Sequence, residues 1–368
     1  LRFPEFEGEW EEKKLGEICK FVRGPFGSAL KKEFFINDGY AVYEQSHAIH
    51  NNFDSFRYYI SEEKFNSLRR FSVEPKDIIM SCSGTMGKFA IIPEKSKKGV
   101  INQALLKLTS KENFNHKFIK IALELPQIQN KLLSQSAGGA IKNVVGIPQL
   151  KEIGLYIPKP IEQNKIASFL SLIDQRIETQ NKIIEKYESL IKGIIDSLFR
   201  DKEKDVMLKD CLTCHSSALT ESEVLANEGI YPVYGAAGIF AHFSQHHVNG
   251  DSILIIKDGS NVGKLQYASD KYSVIGTLNY LMAKNKICLK YIYYYMQSLN
   301  FERYKVGSGI PHIYFKDYGN ELIYCPEFTK QEKIANVLSS IDQKILVEKS
   351  ILANFYRQKN YLLQSLFI

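Results

Sequence analysis

No stretch of this 368-residue chain approaches 18 consecutive apolar residues, so a membrane-spanning helix is not expected. The opening Leu1-Arg-Phe-Pro-Glu-Phe-Glu-Gly-Glu-Trp10 is too acidic and polar for a signal peptide, which points to a cytoplasmic address. Cysteines number only six, several of them in apolar runs, and read as buried thiols in a reducing compartment and not as a disulfide framework. Cys211-Leu-Thr-Cys214-His215 has metal-like spacing, but His242, His246 and His247 do not stand at zinc-finger distances from it, and no metal is expected. No Pro-Pro pair occurs, so the Asn/Asp-Pro-Pro-Tyr/Phe pocket used to methylate amino groups is missing. Carboxylates with a downstream Lys at nuclease spacing are also lacking, and no Walker A loop is present. The chain is therefore expected to hold no catalytic centre.

What is present is a repeat. The segment from Gln163 to Ile177 (Gln-Asn-Lys-Ile-Ala-Ser-Phe-Leu-Ser-Leu-Ile-Asp-Gln-Arg-Ile) returns 168 residues later, from Gln331 to Ile345, as Gln-Glu-Lys-Ile-Ala-Asn-Val-Leu-Ser-Ser-Ile-Asp-Gln-Lys-Ile. Ser197-Leu198-Phe199 maps onto Ser365-Leu366-Phe367 by the same shift, so no residue is gained or lost across the segment.

Within the first copy, Ile166, Leu170, Ile173, Ile177, Gln180 and Ile184 alternate in steps of four and three and continue through Tyr187, Ile191, Ile194 and Leu198, the signature of a coiled-coil seam. The second copy runs Ile334, Leu338, Ile341, Ile345, Glu348 and Leu352, then Phe355, Lys359, Leu362 and Leu366. One polar residue interrupts each seam at the same place, Gln180 and Glu348, a known way to fix register and partner. Lys359 is a second break, in the second copy only. Each helix is expected to run roughly 36 residues, on the order of 54 Å at about 1.5 Å per residue, a spacer's length. Pro160 suits a first helical turn, and Thr329 with Glu332 reads as a capping box.

The globular parts repeat more loosely. Asp77 to Lys88 parallels Asp251 to Lys264, each a short apolar strand, a Gly-containing loop and a Lys. Later come Val100-Ile-Asn-Gln103 against Val274-Ile-Gly-Thr277, a helical run, a glycine turn (Gly138-Gly-Ala-Ile141; Gly307-Ser-Gly-Ile310) and a strand ending in proline, Pro158 or Pro326. Strands interleaved with helices argue a mixed α/β unit. The expected organisation is a first globular domain over 1–157, a spacer helix over 158–200, a second globular domain over 201–326 and a second spacer helix over 327–368.

Net charge is +7. By segment, residues 1–157 hold 23 Lys+Arg against 18 Asp+Glu, and residues 201–327 hold 12 against 14. Positive charge in the second domain must therefore be local if it is to meet an anionic partner.

At this point the chain resembles the specificity subunit of a type I restriction-modification enzyme. The residues that carry the likeness are Phe3-Pro4-Glu5-Phe6, Trp10-Glu-Glu-Lys-Lys-Leu-Gly-Glu-Ile18, and the Glu/Lys-Gln-x-Lys-Ile-Ala-x-x-Leu-x-x-Ile-Asp helices from Glu162 and Lys330. The second domain departs from the pattern, with only Leu208-Lys-Asp210 answering Leu15-Gly-Glu-Ile18. The resemblance implies two target-recognition domains of similar fold, joined by two long antiparallel helices in a coiled coil with pseudo-two-fold symmetry. It further implies that each domain reads half of a split site in double-stranded DNA, and that the helices set the spacing and dock two methyltransferase (M) subunits. Those subunits would carry S-adenosylmethionine, this chain no cofactor, and restriction/translocase (R) subunits would complete the complex without a membrane. Two other classes were weighed: a protein-binding scaffold, which shares the coiled coil, and the specificity subunit of a type II enzyme.

Phosphate contacts call for close backbone N–H groups, hydroxyls and Lys, which nominates Ser83, Gly84, Thr85 and Lys88, and Gly259, Ser260, Asn261 and Lys264. Base readout calls for exposed polar side chains, which nominates Arg23, Gln45, Ser46 and His47 in the first domain and Tyr234, His242, Gln245 and His246 in the second. Arg69, Arg70, Lys142, Asn143, His312 and Lys316 are further candidates for the DNA backbone.

Overall fold

The computed structural model describes residues 2–134, 146–307 and 309–367. The chain forms two compact units, one of Leu1–Glu178 with Ala353–Ile368 and the other of Thr179–Leu352.

In the first unit, strand Glu11–Lys14 pairs antiparallel with Gly154–Ile157, so the two ends of the globular part are tied together. A single helical turn, Leu15–Ile18, follows and buries both of its apolar residues. The main sheet has the order Cys19–Arg23, Leu105–Ser110, Ile78–Ser81, Phe89–Ile91, all antiparallel. Ile78–Ser81 is buried at every position, as expected of a central strand covered on both faces. Beside it, Lys107 and Asp77 form a buried ion pair at 3.3 Å. A second sheet joins Phe35–Ile36, Tyr59–Ile60, Tyr40–Tyr43 and Gly99–Ile101, the last two strands parallel.

The second unit repeats this order. Val206–Met207 pairs with Leu322–Ile323, the turn Leu208–Cys211 follows, and the main sheet runs Leu212–Ser216, Leu278–Ala283, Ser252–Ile256, Leu265–Ala268. Its second sheet again holds one parallel pair, Glu228–Gly235 with Lys271–Val274. The counterpart of Leu15–Ile18 that the sequence barely shows is thus complete: Leu208 and Cys211 take the buried positions of Leu15 and Ile18.

Two long helices run from Pro160 to Phe199 (40 residues) and from Phe328 to Leu366 (39 residues). Their starts are built alike. Gln163 accepts from the Asn115 N–H at 2.8 Å and donates to the Pro158 carbonyl at 2.8 Å. Gln331 accepts from the Cys288 N–H at 2.9 Å and donates to the Pro326 carbonyl at 2.7 Å. The repeated Gln therefore locks each helix onto the strand that precedes it and onto the turn that opens a packed helix. The capping box expected at Thr329 does not form. The helix begins earlier, the Glu327 carbonyl accepts the Lys330 and Gln331 N–H groups, and the Thr329 hydroxyl donates to the Glu327 carboxylate.

The heptad positions face inward. Ile166, Leu170, Ile173, Ile177, Ile184, Leu338 and Ile345 are buried, and Ile334, Ile341 and Leu352 are half-buried. Gln180 and Glu348, equivalent residues of the two repeats, meet: the Gln180 amide donates to the Glu348 carboxylate at 2.5 Å and to its backbone carbonyl at 3.1 Å. From Asp174 to Gln180 along the first helix the partner falls from Lys359 to Glu348 on the second, so the two helices run antiparallel. Hydrogen bonds from Lys344 and then Gln180 hold the Glu348 carboxylate below its usual range, and a polar pair at a single seam position is a known way to fix register. Lys359, the extra break in the second seam, is answered by Asp174 at 2.6 Å.

Candidate nucleic-acid interface

The loop Ser83–Lys88 links the central strand Ile78–Ser81 to Phe89–Ile91. The Ser81 hydroxyl braces it, donating to the Thr85 carbonyl at 2.6 Å and accepting from the Lys88 N–H at 3.0 Å. Gly87 takes a left-handed φ of +70°, closed to most side chains. The result is a fixed turn that leaves Gly84, Thr85 and Lys88 exposed and Ser83 half-buried.

Ser83 also lines a cleft of about 860 Å³ in the first unit, shared with Arg23, Arg70, Phe26 and Gln103. Arg23 closes its strand beside Cys82, whose thiol burial pushes up to about 11 although the guanidinium pulls the other way. Arg69 and Arg70 are exposed on the turn Arg69–Phe71. Three candidates from separate parts of the chain, Arg23, Arg70 and Ser83, therefore converge, and among the described residues the lining contains no carboxylate. Phe26 and Gln103 were not foreseen. The turn-forming flanks of Gly24-Pro25-Phe26-Gly27 were the available signal for the first; nothing local marks the second.

The other first-unit candidates separate. Ser46 is exposed at the start of helix Gln45–His50, and Gln45 is half-buried, its Oε1 buried without a hydrogen-bond partner among the described residues. His47 is not displayed at all. It is 4 % exposed, stacks on Phe56 with ring centroids 4.8 Å apart, and accepts the Glu44 N–H at 2.9 Å, so it serves helix capping and core packing. Lys142 and Asn143, with the glycine turn Gly138–Ile141, lie outside the described residues.

In the second unit the loop Gly259–Lys264 occupies the equivalent place, between Ser252–Ile256 and Leu265–Ala268, with Ser260, Asn261 and Lys264 exposed. Its bracing differs. The Gly259 N–H donates to the Pro311 carbonyl at 3.0 Å, and Val262 plugs the core. His312 is brought to the foot of this loop, its Nδ1 2.7 Å from the Asp258 carboxylate, so that ring nitrogen is engaged within the protein. Lys316 is exposed over the Tyr314 ring. His242 and Gln245 are exposed, His246 is half-buried edge-on to Tyr231, and Tyr234 is half-buried against Tyr272. The cleft beside strand Leu212–Ser216 is smaller, about 340 Å³, and its lining includes Glu223 and His247.

Among the described residues, no group of three His, Cys, Asp or Glu side chains is placed to hold a metal, and no helix is long and apolar enough to cross a membrane. Cys211 and Cys325 sit with their sulfurs 3.9 Å apart as free thiols.

Two mixed α/β units, each with a braced, Lys-bearing loop and each followed by a long helix, define a protein of duplicated design. Residues 7–189 and 201–354 each match the family described as the type I restriction modification DNA specificity domain, and the chain belongs to that family. It is 23 % identical to the specificity subunit of the type I restriction enzyme MjaVIII of Methanocaldococcus jannaschii, over 95 % of this chain and 89 % of that one. The fold matches the crystal structure of a type I restriction-modification S subunit from M. genitalium, with a TM-score of 0.69 at 21 % identity over 100 % of this chain and 98 % of that one. It also matches a chain from a structural study of complex assembly and conformational transition of a type I system, with a TM-score of 0.55 at 15 % identity over 99 % and 98 %.

Proposed function

We propose that this chain reads a split sequence in double-stranded DNA, one half by each globular unit, and that the helix pair sets the number of unread base pairs between the halves. The observation that supports this best is the contrast between a faithfully duplicated frame and divergent loops. Gln163 and Gln331 make the same two hydrogen bonds, whereas the cleft beside the first strand carries Arg23 and Arg70 in one unit and Glu223 in the other. A duplicated frame with different loops suits two different half-sites. Lys88 and Lys264, at the ends of the braced loops, suit phosphate, which positions the protein without specifying sequence.

The outer surface of the helix pair is the natural dock for two methyltransferase subunits, which would supply S-adenosylmethionine and the chemistry. Restriction/translocase subunits would join that assembly in the cytoplasm. The test is co-expression with a methyltransferase subunit of the same system, followed by mapping of N6-methyladenine in host DNA. A split motif with marks in both halves is expected. A stable complex that leaves no marks would favour a protein-binding scaffold.

A further inference from the structure

Phe26 is 90 % exposed, the most exposed of the large apolar side chains among the described residues, and it stands in the cleft with Arg23 and Arg70. The exposure is built in. A Cβ on Gly24 would lie 1.8 Å from the Asn102 carbonyl oxygen, so the backbone entering the loop is pressed against residue 102, and beyond Phe26 the Gln103 side chain reaches Gly27, where a Cβ would lie 2.6 Å from its Oε1. A ring held out of the core by a rigid loop is preorganised for contact, with little ordering left to be done on binding.

The second unit shows that the fold does not require it. Leu219 is the third residue after its strand, as Phe26 is after its own, and Leu219 is 9 % exposed in a hydrophobic cluster. The same position thus faces inward in one unit and outward in the other.

Resting on the DNA-reading function proposed above, we infer that Phe26 is a specificity-determining residue of the first unit, packing on the C5-methyl group of a thymine in its half-site. Two features choose this occupant. Among the described residues, the cleft around the ring holds two arginines and no carboxylate, complementary to a phosphate-flanked ligand. Thymine is the base whose major-groove edge presents an apolar group, and Phe is among the side chains suited to it.

The experiment uses the complex of the full chain with its methyltransferase subunits. Methylation mapping on wild type first gives the motif; an absence of sequence-selective marks would overturn the DNA-reading function and this inference with it. Duplexes are then made with uracil in place of each thymine of the first half-site in turn, which removes the methyl group alone. Wild type should lose about fourfold in affinity at one position, the worth of one buried methyl. Phe26→Ala should bind unmodified DNA about fourfold more weakly and show no uracil penalty, Phe26→Leu should retain part of it, and responses in the second half-site should not change. Because Phe26 is exposed, thermal unfolding of Phe26→Ala should match wild type. The inference is overturned by a first half-site of G·C pairs only, by the same uracil penalty in Phe26→Ala as in wild type, or by a loss equal on all sequences, as a wedge between base steps would give. Loss of subunit assembly in Phe26→Ala would also overturn it, by making the ring a protein contact.

Discussion

The two units solve the same backbone crossing in opposite ways. Where the end of the first strand passes the segment after the parallel pair, the first unit has Gly24 against Asn102 and the second has Ser217 against Gly276. The glycine has changed sides and the approach has loosened, from 1.8 Å between a Cβ on Gly24 and the Asn102 oxygen to 3.3 Å between one on Gly276 and the Ser217 oxygen. The frame tolerates exchange of residues at this crossing, and the loops hung on it are freer still. Arg23 gives way to Ser216, and outward Phe26 to inward Leu219. In a duplicated protein, what remains the same marks the scaffold's needs and what differs marks what each copy reads.

The largest effect expected concerns the helices. Inserting one heptad at matching places in both should keep the seam and lengthen the unread gap by about 10 Å, or about three base pairs, without changing the bases read. Methylation mapping of the variant checks this; an unchanged gap would break the comparison of the helices to a ruler.

Next comes the crossing itself. Gly24→Ala drives a Cβ to 1.8 Å from a carbonyl oxygen, whereas Gly276→Ala meets its nearest atom, the Ser217 oxygen, at 3.3 Å. The first should cost about 3 kcal/mol and the second well under about 1 kcal/mol, read by urea unfolding. Equal costs would mean that the second crossing is as tight as the first.

The smallest effect belongs to the loops. Lys88→Ala and Lys264→Ala should each lower the slope of log affinity against log salt by about one, evenly across sequences. A base-selective loss from either would show that its loop reads sequence.

The long helices were legible because a period of 3.5 sustained over many turns has few other physical meanings, and the repeat removed what ambiguity remained. The recurring strand, glycine loop and Lys of Asp77–Lys88 and Asp251–Lys264 were legible, since apolar run, glycine and Lys recur together, but the order of strands in each sheet was not. The one-turn helix Leu208–Cys211 was not, because four residues carry too little periodicity. Helix starts were only half legible: Pro160 opens its helix, but the Thr329 hydroxyl bonds Glu327 because that helix begins before it. At the candidate interface, residue type misled in both directions. His47 looked displayed because it is polar, yet its ring completes an aromatic stack with Phe56. Phe26 was passed over because aromatic residues ordinarily go inside, whereas here it follows a backbone crossing at Gly24 that places its ring outward. Such placements depend on contacts between distant segments, which local pattern does not encode.

The central claim, that each unit reads its own half-site, is tested most directly by exchange. Residues 1–157 are replaced with the corresponding domain of another specificity subunit, and the methylated motif of the hybrid complex is mapped. A motif in which one half changes while the other half and the gap stay as they were is the predicted result. A change in both halves would contradict it, because the two units would then be reading jointly.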